Sequence, residues 1–118
     1  MENSKISDLN DNQFLILLGK FFQDIPYHKW TVFHFTDELE RHCAFGHLIY
    51  NFPNDTNIQS KAARLLPLTL INDSSYLIAS EITILDNPKD RVLKAINMKL
   101  SGKEVYKDSK GALIVYPL

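Results

Sequence analysis

The chain has 118 residues, close to the commonest size of a single domain. Hydrophobic residues make up 45% of it and charged residues 23%, a mixture that is typical of a globular protein and too apolar for a disordered one. The formal net charge of −1 argues against nucleic acid as the partner, since domains that bind it are usually strongly basic. No apolar run reaches the roughly 18 residues of a membrane span, so we expect no membrane partner.

The start of the chain and its cysteine content indicate a compartment. Residues 1–5 are polar and lack the apolar core of a signal peptide. Cys43 is the only cysteine, which excludes an internal disulfide, and a lone thiol is typical of a reducing cytosol. We therefore expect cytoplasmic localisation.

Residues 1–10 are predicted to form a flexible N-terminus, and residues 11–118 to form one globular domain. Asn10 or Asp11 is suited to cap a first helix. This helix is predicted to end at Pro26, because the residue before a proline avoids the helical region. Its inward stripe follows the helical repeat and consists of Phe14, Leu17, Leu18, Phe21 and Ile25.

Two further helices are predicted in the middle of the chain. The second runs from Thr36, a good N-cap, to about Asn51, and its first turn carries two acidic residues that suit the helix dipole. We expect one face of it to be buried, and this face holds Leu39, Cys43, Gly46, His47 and Tyr50. The third helix, capped by Asp55 or Thr56, is predicted to turn inward the side chains of Ile58, Ala62, Leu65 and Leu66.

The 76–85 run is ambiguous, because its β-branched residues favour a strand while a short helix over 75–85 is the alternative. A strand is also predicted over 112–116, and the two runs are expected to pair. Asn87 and Pro88 give the clearest helix start in the chain. We thus predict a mainly α fold: a compact single domain of about four helices with a small two-stranded β element.

Three short motifs resemble those of a group of small uncharacterised bacterial and phage domains. The chain reads Cys-Ala-Phe-Gly-His-Leu at 43–48, Leu-Ile-Asn-Asp at 70–73 and Asn-Pro-Lys-Asp-Arg-Val at 87–92. The group shows a Cys-Ala-x-Gly-His-Leu helix, an Asn-Asp turn and a Pro-Lys-x-Arg-Val helix. The resemblance covers residues 30–100 except the 74–85 insert, and it does not extend to the basic C-terminal extension. It implies a mostly helical domain and no catalytic residues.

The helix around Gly46 is the place where we expect the tightest packing or the floor of a site. Glycine inside a helix is unfavourable, so we predict that another helix or the aromatic segment 30–35 packs directly on it. Cys43 and His47 lie four residues apart, on one helical face, and are either packing residues or a nucleophile with its base. We expect packing, because Cys43 is predicted to lie mid-helix within the apolar stripe.

Other chemistry has less support in the sequence. A structural zinc site needs two close pairs of ligands, and no second pair accompanies Cys43 and His47, so we expect no metal and no cofactor. Asp73 is a possible acid or base, but the Asn-Asp-Ser-Ser stretch is also typical of a turn or of a cap for a neighbouring helix. We favour the structural interpretation.

The basic C-terminal part of the chain is the predicted ligand surface. Residues 89–110 contain seven basic residues against three acidic ones. If the last helix packs its apolar side, most of its charges point outward, and its N-terminus suits a phosphate or carboxylate. The expected ligand-binding residues are Arg91, as the key contact, with Lys94, Lys89, Trp30 and His47.

These observations favour a small non-enzymatic binding or inhibitor protein that acts on a protein partner or a small anionic ligand. Its assignment to a bacterial accessory genome or phage, as an anti-defence candidate, is implied by the resemblance alone. Two alternatives stay open: a nucleotide-like ligand sponge that uses the basic C-terminal segment, and a Cys/His hydrolase centred on Cys43. A homo-oligomer is possible, because a sponge often builds its sites between subunits.

Overall fold

Six helices make up most of the part of the chain that the computed structural model describes, residues 8–108 and 110. They are α1 Asp11–Gln23, α2 Ala44–Asn51, α3 Thr56–Leu65, α4 Leu68–Asn72, α5 Ser80–Thr83 and α6 Pro88–Leu100, with a 3₁₀ turn at Tyr27–Lys29. The Cα radius of gyration is 13.5 Å, matching the roughly 13–14 Å of a compact domain of this length. The predicted mainly helical, compact fold is confirmed at that level, and among the described residues no helix has the length and apolarity to cross a membrane.

Helix α6 lies at the centre of the fold and packs against α1, α2, α4 and α5. Its apolar stripe, which includes Val92, Ala95 and Ile96, is completely or almost completely buried. Helix α2 lies between α6, α4 and α3, so it brings the Cys43–Leu48 segment close to the core. The burial of apolar side chains around α6 is the main stabilising contribution to this arrangement.

The helix starts that the sequence predicted are confirmed at three places. Asn10 accepts a hydrogen bond from the N–H of Gln13 at 2.9 Å, and Gln13 returns one to the N–H of Asn10, which forms a capping box. Asp55 caps α3 through the N–H of Ile58, and Asn87 caps α6 with Pro88 in its first turn. Each cap satisfies a backbone donor that the helix itself leaves free.

The predicted start of the second helix at Thr36 is wrong. Helix α2 begins eight residues later, with Cys43 as its N-cap, and residues 31–42 form a loop. Leu39, expected on the buried face, is 72% exposed, and Tyr50 at the other end of that face is 68% exposed. Leu17 of α1 is also exposed, although it belongs to the predicted inward stripe.

The predicted two-stranded β element is not found in the described residues. The 76–85 run contains helix α5, the alternative that the sequence left open. Residues 77–79, just before this helix, form backbone hydrogen bonds with residues 105–107. Ile78 and Tyr106 form an isolated antiparallel bridge there, because two paired residues are too few to make a strand. The 112–116 run and residues 1–7 lie outside the described residues.

Candidate functional site

The 31–42 loop joins the 3₁₀ turn to α2, and its ends are closed by hydrogen bonds. The N–H of Thr31 donates to the carbonyl of His42 at 3.0 Å, and the N–H of His42 donates to the carbonyl of Lys29 at 2.9 Å. The Nδ1 atom of His42 lies 3.1 Å from the carbonyl oxygen of Phe35. The same Nδ1 atom lies 2.8 Å from the hydroxyl of Thr36, so the His42 ring is held by two residues of the loop.

Asp37 holds the tip of the loop together. Its carboxylate accepts hydrogen bonds from the N–H groups of Leu39 and Arg41, and it lies 2.7 Å from the Arg41 guanidinium. These contacts, with the Arg41 side chain foremost, hold the pKa of Asp37 well below its usual range. Glu40 completes the turn with a left-handed backbone, at a φ of 59°. The acidic residue that the sequence assigned to a first helical turn thus organises a loop.

Asn72 and Asp73 tether the loop to the rest of the fold. The Asn72 side-chain oxygen accepts from the N–H of Ala44 at 3.0 Å, and its nitrogen donates to the carbonyl of Thr31 at 3.0 Å. The carboxylate of Asp73 accepts from the N–H of Phe33 at 2.9 Å. The structural interpretation of this pair is confirmed, since Asn72 caps the first residue of a neighbouring helix.

The loop presents large apolar side chains to solvent. Phe33 and Leu39 are each 72% exposed, and Phe35, which packs its ring 6.2 Å from that of Phe45, is more than half exposed. Phe33 also has a φ of 65°, in the left-handed region that few bulky residues adopt. This backbone costs on the order of 1 kcal/mol. The ring of Phe33 is not buried in return for this strain.

A pocket of about 470 Å³, here called the His47 pocket, lies between this loop, the 3₁₀ turn and α2. Its wall includes a histidine pair that touches at a ring-centroid distance of 5.0 Å, His42 and His47. Tyr50 stacks on His42 at 4.7 Å and extends to the surface. The lining is completed by Asp24, Ile25, Pro26, Lys29, Thr36, Leu39, Glu40 and Asn51.

His47 is only 3% exposed, and its Nε2 atom has no hydrogen-bond partner among the described residues. The His47 ring lies against Trp30 and His42, and no residue that the structure describes donates to or accepts from its Nε2 atom. Burial, reinforced by the adjacent His42, lowers the pKa of His47 to about 4. At neutral pH the ring is therefore uncharged.

We expect this histidine to make the fold sensitive to mild acid. The unfolded chain takes up the His47 proton near pH 6.5 and the folded chain only near pH 4, so the free energy of unfolding falls as the pH drops through this window. The full loss is about 3 kcal/mol. Urea unfolding at several pH values measures it. His47→Gln should flatten the slope between these pH values, whereas His28→Gln, at an exposed histidine, should keep it; equal slopes in all three proteins would contradict the assignment.

Cys43 is placed differently from the prediction, but its burial agrees with it. It is the N-cap of α2, where its Sγ accepts from the N–H of Gly46 at 3.3 Å, and its exposed fraction is 2%. Burial is the main cause that raises the pKa of the Cys43 thiol, and the carboxylate of Asp73 adds to it. A nucleophilic cysteine needs the opposite shift, so this geometry gives no support to a hydrolase centred on Cys43.

We expect the Cys43 thiol to react slowly with a thiol reagent in the folded protein and quickly in urea. The reason is that reaction requires an accessible thiolate, which burial disfavours. Cys43→Ala should lower the free energy of unfolding by about 1 kcal/mol, while Cys43→Ser keeps a capping atom and should cost less. Labelling in native buffer at the rate of the unfolded chain would reverse this conclusion.

The predicted anion surface is not formed as expected, because two of its residues are buried. Arg91 is 5% exposed and donates to the carbonyls of Ile71, Asn72 and Leu85, with its closest contact, to Asn72, at 2.6 Å. Burial lowers the pKa of Arg91. Lys89 is also buried and donates to the carbonyl of Gln23 at 2.8 Å. Both cations thus cover the C-terminal carbonyls of other helices, where helix dipoles favour positive charge.

The remaining predicted ligand residues, Trp30, Lys94 and His47, also do not lie together on one surface. Trp30 is buried, donates to the carbonyl of Ile25 and packs 4.8 Å from the ring of His47. Lys94 is exposed on α6. The structure therefore brings together Trp30 and His47, and it leaves only His47 on the wall of a pocket. The described residues also contain no group of three histidine, cysteine, aspartate or glutamate side chains suited to a metal ion.

Comparisons with protein-family models, with curated proteins and with solved structures found no match for this chain. The resemblance to small bacterial and phage domains thus stays a prediction. The second half of the 31–42 loop, residues 36–42, is the feature that sequence reasoning missed, because these residues were predicted to be helical. One signal for it was present: residues 36–42 are dense in charge and include a single apolar residue, Leu39, which is too few for a buried helical face.

Proposed function

We propose that this chain is a small non-enzymatic binding or inhibitor protein that acts on a protein partner through the 31–42 loop. Phe33 carries the argument. Its ring is displayed to solvent on a left-handed backbone that the carboxylate of Asp73 holds in place. Aromatic side chains, phenylalanine included, are enriched at protein–protein interfaces relative to the rest of the surface.

The loop is also prepared for binding before a partner arrives. Its ends are paired, its tip is held by Asp37, and the side chain of Asn72 fixes it to α2. A phenylalanine has few rotatable bonds, so an ordered loop that displays one loses little entropy on association. An ordered loop with an exposed ring therefore favours a protein partner. A small ligand needs an enclosed site instead, and an exposed ring contributes little to binding it.

The charge of the loop tip indicates what kind of partner surface would fit it. Asp37 is neutralised by Arg41, so Glu38 and Glu40, both exposed, leave the loop tip negative on either side of the exposed Leu39. A partner surface with an apolar centre and basic groups around it would complement this tip. The same pattern disfavours a small anionic ligand here.

The same proposal includes the cellular location and the genomic origin of the protein. A cytoplasmic protein of bacterial accessory-genome or phage type, one that blocks another protein as an anti-defence factor, fits a small chain with a displayed loop. That part rests on the resemblance of its short motifs. A nucleotide sponge that uses the basic C-terminal segment has less support, because the Arg91 and Lys89 side chains are occupied by backbone carbonyls.

The proposal predicts that Phe33→Ser with Leu39→Ser abolishes partner binding without changing the fold. Both side chains are largely exposed, so the thermal midpoint should stay within a degree or two. The measurement is affinity capture with quantitative mass spectrometry, followed by titration of the purified captured protein. We expect the double variant to bind it at least tenfold more weakly, which is about 1.4 kcal/mol.

Ile16→Gln is the matched control, since Ile16 is an exposed apolar residue on α1, outside the loop. It should bind the purified partner like the unaltered protein. If no protein is captured by the unaltered chain, or if the loop double variant and the control lose binding equally, the loop is not the interaction surface and the proposal fails.

A further inference from the structure

The His47 pocket is lined by more acidic residues than basic ones. Asp24 and Glu40 line it against one cationic residue, Lys29, which leaves a net negative charge. Asn51 donates its side-chain nitrogen to the carbonyl of His47 at 2.8 Å, so its side-chain oxygen stays available as an acceptor. A ligand that suits this lining carries positive charge and several N–H groups.

The buried end of the pocket points to the same chemistry. His47 is nine-tenths or more buried, and its Nε2 has no hydrogen-bond partner among the described residues. A buried polar nitrogen without a partner costs free energy, and with the ring proton on Nδ1 a ligand N–H that reaches Nε2 removes that cost.

Tyr50 supplies a flat surface at the mouth. One face of its ring lies on His42 at 4.7 Å, while 68% of the side chain is exposed. Planar guanidinium groups stack on aromatic faces and use several N–H donors at once, whereas an ammonium is a compact point charge. The combination of an aromatic face, two acidic residues and an unpartnered buried nitrogen therefore favours guanidinium.

We infer that the His47 pocket receives the guanidinium group of an arginine side chain carried by the protein partner. This inference rests on the proposed function, because the pocket shares Leu39 and Glu40 with the 31–42 loop. The loop tip contributes apolar contact, and the pocket beside it contributes recognition of one basic residue. The partner is thus a protein with an exposed arginine next to an apolar patch.

The test uses arginine amide as the probe and the full chain without a partner. NMR titration should show shifts at the ring signals of His47 and Tyr50, with a dissociation constant in the millimolar range, as expected for a single side chain. Citrulline amide has the same shape without the charge and should bind at least tenfold more weakly. Lysine amide should also bind more weakly, because it does not stack as guanidinium does.

Glu40→Gln and Glu38→Gln form a matched pair of variants. Both residues are exposed neighbours on one loop, but only Glu40 lines the pocket. Glu40→Gln should weaken arginine amide binding several-fold, and Glu38→Gln should leave it unchanged. Equal binding of arginine and citrulline amides, an equal effect of both variants, or saturation by Zn²⁺ in place of arginine amide would overturn the inference.

The two proposals fail in different ways. If arginine amide binds as expected while the Phe33 and Leu39 double variant keeps its partner, the pocket stands as a guanidinium site, and the loop is not the contact surface. If partner binding needs the loop but arginine amide causes no shift at His47, the proposed function stands and the arginine inference is wrong.

Discussion

Gly46→Ala is expected to destabilise this protein by about 2–3 kcal/mol, although alanine is the better helix former. A Cβ at Gly46 would meet the carbonyl oxygen of Phe35 and lie 3.0 Å from its carbonyl carbon. These are backbone atoms of the 31–42 loop, so the contact is relieved only by moving the loop. Gly46→Leu should be more harmful still. The predicted close packing of the aromatic segment on Gly46 is thus confirmed.

Gly19→Ala is the control for this experiment. A Cβ at Gly19 in α1 would lie 3.6 Å from the side chain of Ile96, an ordinary contact. That variant should gain up to about 1 kcal/mol from helix propensity. Thermal unfolding of both variants measures the contrast. A Gly46→Ala protein that melts as high as the Gly19→Ala protein would show that the loop does not rest on α2.

Arg91→Met is expected to lower the free energy of unfolding by about 3 kcal/mol or more. The guanidinium donates to three backbone carbonyls, and methionine would leave those of Ile71 and Asn72 buried without this donor. Arg91→Lys keeps the charge but not the planar set of donors, so its loss should be nearly as large. Urea unfolding gives both values.

Lys94→Gln provides the reference, because Lys94 lies on the same helix but is exposed. Its effect should stay within about 0.5 kcal/mol. A small and equal effect of the Arg91 and Lys94 changes would mean that Arg91 is a solvated surface residue, as the sequence pattern suggested. A large effect of Arg91→Met alone supports the buried position.

Local signals in the sequence were sufficient for most helices. Asn10, Asp55 and Asn87 act within three residues of their own position, so a cap can be read from a few neighbouring letters. The apolar repeat of α3, with Ile58, Ala62 and Leu65 buried, is local in the same sense. Helix existence was therefore predictable where cap and repeat agreed.

The conformation of the 31–42 loop was only partly predictable, because its supports are distant in the chain. Thr36 and Asp37 look like the start of a helix, and the capping rule alone does not reject them, although the scarcity of apolar residues over 36–42 argues against a buried helix there. What decides the conformation is Asn72 on α4, which accepts from the N–H of Ala44 and so places the helix start there. These two partners are 28 positions apart in the chain, which is beyond the reach of a local pattern.

The candidate site shows the same limit. Basic residues on an amphipathic helix normally face solvent, and this rule placed Arg91 and Lys89 outside. The rule failed because the free carbonyl groups at the C-termini of other helices need hydrogen-bond donors. The sequence of residues 88–100 alone does not indicate that Arg91 and Lys89 supply those donors. His47 was singled out by the sequence and does line a pocket, whereas its burial depends on contacts with Trp30 and His42 that lie outside its own helix.

The two buried cations on the first turn of α6 also bear on the order of folding. Lys89 reaches the last residue of α1 across 66 positions of the chain, and Arg91 reaches the end of α4 across about 20. Neither helix therefore has its C-terminal carbonyls fully covered until α6 has docked. Three segments from the beginning, middle and end of the described chain are joined in one cooperative unit, and local fraying of α1 or α4 is coupled to the opening of α6.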